Sequence, residues 1–272
     1  FIGNGDDGRN YNNIHGGKQV KKIYFMENYF SKLKSLFFAF RHARVEEVYN
    51  IPNTVEDMGG FASYGTPLRY ISNFPNALTN LGQSFKDSSS LVEIPNIPNT
   101  VKNMSQAFQN CTKFNQQLNL SNLNLNDGGL QSLVNGASSL TYTPILPTNY
   151  TGSLQGAFLG TKITTAPVLP VGVTNLYLAF KDCKQLTTVG NIPSKCWNYQ
   201  QAFDGCSNLT SVPSDGWSGE MRGTFHNCSK LNCQINISSA TWLGGCFEGC
   251  SSLEITPKLP EKVTGNVSME TC

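Results

Sequence analysis

The chain has 272 residues, of which 39% are hydrophobic and only 14% charged, and it carries a net charge of +2 at neutral pH. So weak a positive field excludes a binder that must neutralise many nucleic-acid phosphates, and no apolar run reaches the roughly 18–20 residues a membrane-spanning helix needs. Asn, Ser, Thr and Gly take the place of the missing charges, so a polar, weakly charged surface is expected.

Residues 1 to about 20 scatter Gly3, Gly5, Gly8, Gly16 and Gly17 among Asn and Asp, too little apolar surface for a core, and read as a linker. From Ile23 to Phe40 the density of Tyr, Phe, Leu and Met, at helical or mixed spacing, suits a cap over the open end of a stack. Lys18, Lys21, Lys22, Lys32, Lys34, Arg41 and Arg44 face only Glu27 there, and a solvated face of the cap is favoured over a site for an anionic partner. Residues 1–35 are therefore assigned to linker and cap. Residues 36–272 are assigned to a repeat body of about ten units. The chain opens on Phe1 and stops at Cys272 inside a unit, so it is expected to be a piece of something longer.

The repeat is set by anchors at Phe40, Phe61, Phe85, Phe108, Val134, Phe158, Phe180, Phe203, Phe225, Phe247 and Met269, spaced about 23 residues apart. Each anchor is followed three residues on by a Cys or small residue, then by aliphatics at further steps of three, then by Pro and a last aliphatic. Leu91, Ile94, Ile97, Pro98 and Val101 are one example. A period of three is neither the 3.6 of a helix nor the 2.0 of a strand, and it suits a coil that turns a corner every few residues. Two units depart from it. Phe114 to Leu125 partly alternates, predicting a more regular strand with a bulged insertion, and Leu231, Cys233, Ile235 and Ile237 alternate strictly, again as in a strand.

Six of the nine cysteines, Cys111, Cys183, Cys206, Cys228, Cys250 and Cys272, share one repeat position, where Ala43, Tyr64, Ser88, Ala137 and Thr161 stand in other units. Coils about 4.8 Å apart would bring their Cα atoms within disulfide range. Parallel Cβ vectors and the free exchange with Ser, Ala and Thr favour a column of buried thiols over bridges or a metal site. Only three histidines are present, His15, His42 and His226, and no nucleophile elbow, phosphate-binding loop or zinc motif appears, so neither catalysis nor a cofactor is expected. The adjacent Glu46 and Glu47 are expected at the surface, solvated.

The recurring Ala-Phe-x-x-Cys-x-x-Leu core with its trailing Pro and aliphatic, from about Leu36 to Cys272, resembles the BspA-type leucine-rich repeat. The resemblance implies a right-handed, curved solenoid with one short parallel strand per unit and a loop or short helical turn carrying the Ala-Phe segment. It also implies non-catalytic binding of a protein or glycan receptor, as in surface adhesins, on a cell or virion surface. The alternative is a structural spacer whose partners are neighbouring subunits of an assembly. An intracellular scaffold is a minor third option, to which unpaired thiols lend weight. Between the inward aliphatics, Tyr49, Tyr70, Tyr142, Ile145, Val168 and Trp217 are expected to face out, and all but the first are the candidate ligand-binding residues.

Overall fold

The computed structural model describes residues 20–26 and 29–261. The anchor at Met269, the thiol of Cys272 and the glycine-rich first 19 residues lie outside them. The described chain winds as a stack of coils, a leucine-rich-repeat-like solenoid whose strands are short and all parallel. Strands β1 (Lys22–Tyr24), β2 (Glu47–Tyr49) and β3 (Tyr70–Ile71) form one sheet in that order, with Ile23 opposite Val48 and Val48 opposite Ile71. Strands β4 (Thr151–Ser153) and β5 (Gly172–Asn175) pair, as do β6 (Ser218–Glu220) and β7 (Ser239–Trp242). Single bridges continue these ladders from coil to coil, through Ser35, Asp57, Asn80 and Asn103 on one column and Thr165, Thr188 and Ser211 on another.

The strands stay short because corners intervene. After each outward stretch a Pro carbonyl accepts the N–H three residues on, as in Val55 to Pro52 at 3.0 Å, Leu78 to Pro75 at 3.1 Å and Val101 to Pro98 at 3.1 Å. Such a turn reverses the chain within four residues and sends the aliphatic inward, which is the physical content of the period of three.

The Ala-Phe segment is neither strand nor helical turn, and among the described residues there is no α-helix. Two residues four apart take positive φ in each corner, as at Gln83 and Asp87, Gln106 and Asn110, and Gly156 and Gly160. This arrangement splits the N–H groups into two sets. Gln83, Phe85 and Asp87 donate forward to Ser105, Ala107 and Gln109 of the next coil at 2.8, 3.0 and 2.7 Å, while Lys86 and Ser88 bond back to Gln83 and Phe85 inside the corner. Every donor in the corner is thereby satisfied without regular structure, as burial requires.

This ladder corrects the repeat register. Phe40 donates to Phe61, as Phe85 donates to Ala107, so the residue aligned with Phe40 and Phe85 is Ala62, one place after the expected anchor at Phe61. The first two spacings become 22 and 23 in place of 21 and 24. Phe61 still fills the core from the adjacent position, edge-on to Phe40 at 5.1 Å and to Phe85 at 6.4 Å. In later coils the rings stack face to face: Phe158, Phe180, Phe203, Phe225 and Phe247 follow one another at 5.0, 5.3, 5.8 and 5.4 Å.

Cys111, Cys183, Cys196, Cys206, Cys228, Cys233 and Cys246 form no disulfide. Cys111, Cys183, Cys206, Cys228 and Cys250 each direct the thiol to the anchor carbonyl of the coil before, at 2.9 to 3.2 Å. Ser88 makes the same bond to Ala62 at 2.5 Å. In the second coil this role falls to Thr66, which bonds the Phe40 carbonyl at 2.6 Å, and not to Tyr64.

Neither departing unit forms its expected strand. Between Phe114 and Leu125 only Asn119 bridges, to Ile145, and the added length is taken up by tight turns such as Leu120 to Leu123. Leu231, Ile235 and Ile237 are buried as the alternation requires, yet of that stretch only Asn236 bridges a neighbour.

Candidate functional site

The outward-facing candidates separate into three groups. Tyr70 is exposed on β3 and continues a row of rings with Tyr49 at 5.3 Å, itself stacked on Tyr24 at 4.5 Å and 5°. Beside this row Glu47 is 4% exposed, against the expectation of a solvated carboxylate. It pairs with Lys22 at 2.8 Å and with Arg69, and accepts from the Tyr49 hydroxyl at 2.7 Å. Glu46 pairs with Lys21 at 2.6 Å and Arg69 at 3.5 Å. The Lys22 ammonium, then the Tyr49 hydroxyl, hold the Glu47 carboxyl below the usual carboxylate range, and the bond to Glu47 pushes the Tyr49 phenol up to about 12. Every charge in this cluster is met by its opposite.

Tyr142, Ile145 and Val168 are exposed in the coils anchored at Val134 and Phe158. Ile145 and Val168 hold equivalent places in Pro144-Ile145-Leu146-Pro147 and Pro167-Val168-Leu169-Pro170. The coils of Phe85 and Phe108 stand between this group and Tyr70. Trp217 corrects its expectation: it is 2% exposed, packs on Phe225 at 5.1 Å and Tyr199 at 5.2 Å, and donates its indole N–H to the Pro213 carbonyl at 2.8 Å. With its one donor met inside, the large ring gains more by burial than by exposure.

A further surface feature lies on the corner ladder of the first four coils. A groove of about 210 Å³ is lined by Phe37, Phe38, Gly60, Asn80, Gly82, Gln83, Asn103 and Ser105. Phe37 and Phe38 form its aromatic wall with ring centroids 4.2 Å apart. They lie over the next coil because Gly59 and Gly60 follow there: a Cβ on Gly59 would stand 2.9 Å from the Phe37 ring, and one on Gly60 2.0 Å from Phe38. Gly60 also has φ of 61°, where a side chain is strained. The opposite wall is an amide ladder. Asn103 donates to Asn80 at 3.0 Å and Asn80 to Asp57 at 2.7 Å, while the same side-chain oxygens of Asp57, Asn80 and Asn103 accept the N–H groups of Gly59, Gly82 and Ser105.

Cations flank the aromatic wall. The Arg41 guanidinium lies 4.9 Å from the Phe38 centroid and 4.4 Å from that of Tyr64, and the Lys86 ammonium lies 5.6 Å from the same Tyr64 ring. Lys86 bonds the neutral Gln106 at 2.9 Å. His42 donates its Nδ1–H to the Tyr64 carbonyl at 2.8 Å, which leaves Nε2 as the outward nitrogen. Among the described residues Arg41 and Lys86 meet no carboxylate, unlike Lys21, Lys22, Lys34, Arg69 and Lys181. Composition does not point here. The signal in the sequence is positional: Phe37-Phe38 and Gly59-Gly60 occupy places held by Ser105-Gln106 and Gln200-Gln201 in regular coils.

Chemically this surface offers rings, amides and cations. Burial pushes the Cys206 and Cys228 thiols well up and those of Cys183 and Cys196 to about 11, so these four stay protonated at neutral pH. Among the described residues no three His, Cys, Asp or Glu side chains gather as a metal site, and no helix is long and apolar enough to cross a membrane.

The sequence profile described as the BspA type leucine rich repeat region matches in overlapping stretches at residues 37–141, 72–187 and 145–254. Among solved structures, the chain is similar to a leucine-rich repeat protein from Bacteroides ovatus at 20% identity and a TM-score of 0.49, covering 89% of this chain and 76% of that one. It is also similar to a leucine-rich repeat protein from Eubacterium ventriosum, at 19% identity and 0.45 over 91% and 80% of the two chains. A leucine rich cell surface protein from Faecalibacterium prausnitzii matches at 15% and 0.39 over 92% and 89%. No curated protein is significantly similar in sequence.

Proposed function

The chain belongs to the BspA-type leucine-rich repeat family, and on that footing we propose that it is a non-catalytic binding module, displayed on a surface outside the cell, that holds a protein or glycan partner on its N-terminal corner face. One observation carries this assignment. In the corner column the first coils place Phe37 and Phe38 on the wall of a groove with Arg41 and Tyr64 beside it, and among the described residues neither Arg41 nor Lys86 meets a carboxylate.

The experiment is retention of the purified chain on the surface that captures it, compared between two double variants. Phe37→Ser with Arg41→Ser is expected to lose retention, and Ile145→Ser with Val168→Ser to keep it. The reverse pattern would move the site to the middle coils, and retention unchanged in both would favour a spacer whose contacts lie at its ends.

A further inference from the structure

Resting on that assignment of the binding face, we infer that its ligand is a glycan bearing uronate carboxylates. Three features of the face converge on this class. The first is charge. Arg41 is held between Phe38 and Tyr64, and Lys86 lies on Tyr64, with no carboxylate on either among the described residues. A stacked guanidinium keeps its in-plane N–H edge free, and that edge matches a planar carboxylate in two parallel hydrogen bonds. Only two such cations stand here, separated by a tyrosine ring. That spacing suits a chain with a charge on some sugars, and not a densely sulfated one, which needs a continuous basic strip.

The second feature is the ring of Phe37, 54% exposed at the groove wall. A pyranose has an apolar C–H face that packs on such a ring, whereas an acidic peptide has no equivalent flat face. The third is the state of the backbone. A peptide docking by strand addition needs free N–H and C=O groups, but the corner N–H groups of Gly60, Ala62, Gln83 and Phe85 are all spent on the next coil. What remains for a ligand is side-chain chemistry suited to hydroxyls: the amide nitrogen of Gln83, whose oxygen accepts from the Tyr64 hydroxyl at 3.4 Å, the hydroxyl of Ser105 and Nε2 of His42.

The test is calorimetric titration of the native chain with hexasaccharides of galacturonate, of alternating glucuronate and N-acetylglucosamine, and of mannuronate and guluronate. A neutral galactan hexasaccharide and a hexaglutamate peptide serve as comparisons. At least one uronate is expected to bind about tenfold or more tightly than both comparisons, the size of one charge-assisted contact. Arg41→Gln and Phe37→Ala should each remove most of that margin without moving the thermal midpoint, and Arg41→Lys should restore part of it. Equal binding of the neutral chain, equal binding of hexaglutamate, indifference to Arg41→Gln, or no binding across the uronates would each overturn the inference. If the uronates fail while retention still depends on Phe37 and Arg41, the binding face stands and only the ligand class falls.

Discussion

The coils anchored from Phe158 to Phe247 and those anchored from Phe40 to Phe85 share one backbone ladder but spend it differently. In the later coils one ring per coil stacks nearly parallel on the last, with Phe180 and Phe203 only 2° from coplanar directions, and thiols cap the anchor carbonyls. In the early coils the rings meet edge-on, Ala62 takes the anchor place, Ser and Thr replace the thiol, and aromatic side chains have moved to the outside at Phe37 and Tyr64. A repeat that keeps its pattern inside and out is scaffold. A repeat that keeps the ladder but changes its outward residues is where a partner is to be sought.

Three measurements press on that contrast. The largest effect is expected at Phe203, enclosed by Phe180, Phe225 and Trp217. Phe203→Ala should cost about 3–5 kcal/mol in urea unfolding, and a loss below about 1 kcal/mol would mean that the stacked column is not the core. Next is Gly60→Ala, which places a Cβ in the left-handed region for about 1–2 kcal/mol and against Phe38. Gly205→Ala, at φ of 76° in a regular coil, should cost a similar amount. The discriminating readout is the environment of the Tyr64 ring by NMR, which Gly60→Ala should shift through Phe38 and Arg41 and Gly205→Ala should leave alone.

The smallest effect concerns the ion network beside Tyr49. Folding lowers the Glu46 and Glu47 carboxyls, chiefly through Lys21 and Lys22 respectively. The native state therefore binds fewer protons than the unfolded chain in the acid range, and the stabilisation is present above the usual carboxylate value and lost as pH falls through the lowered one. Acidification should bring the urea midpoint of the native chain towards that of Glu47→Gln. A constant gap between the two down through that range would show that the carboxylate does not act by its charge.

Much of this architecture is legible in the residues. Anchors about 23 apart, with a Cys or Ser three residues on and Pro before the last aliphatic, lead to a stacked solenoid because each coil must bury the same face against its neighbours. Spacing puts the second anchor at Phe61 because Phe61 and Ala62 are both apolar, and only the hydrogen-bond offset distinguishes them. Spacing alone puts Trp217 outside, because it does not show the Pro213 carbonyl that accepts its indole N–H. The groove is hidden in the sequence for a similar reason: Phe37 and Phe38 fit a hydrophobic cap until Gly59 and Gly60, more than twenty residues later, are brought beneath them.

By itself, then, the sequence determined the period and the buried columns, since these follow from repetition and from which side chains water rejects. The tertiary structure alone decided which outward residues meet. Arg41, Tyr64 and Lys86 come from three different coils, and it is the register of the corner ladder, set by backbone hydrogen bonds that no side-chain pattern encodes, that brings them together on one face.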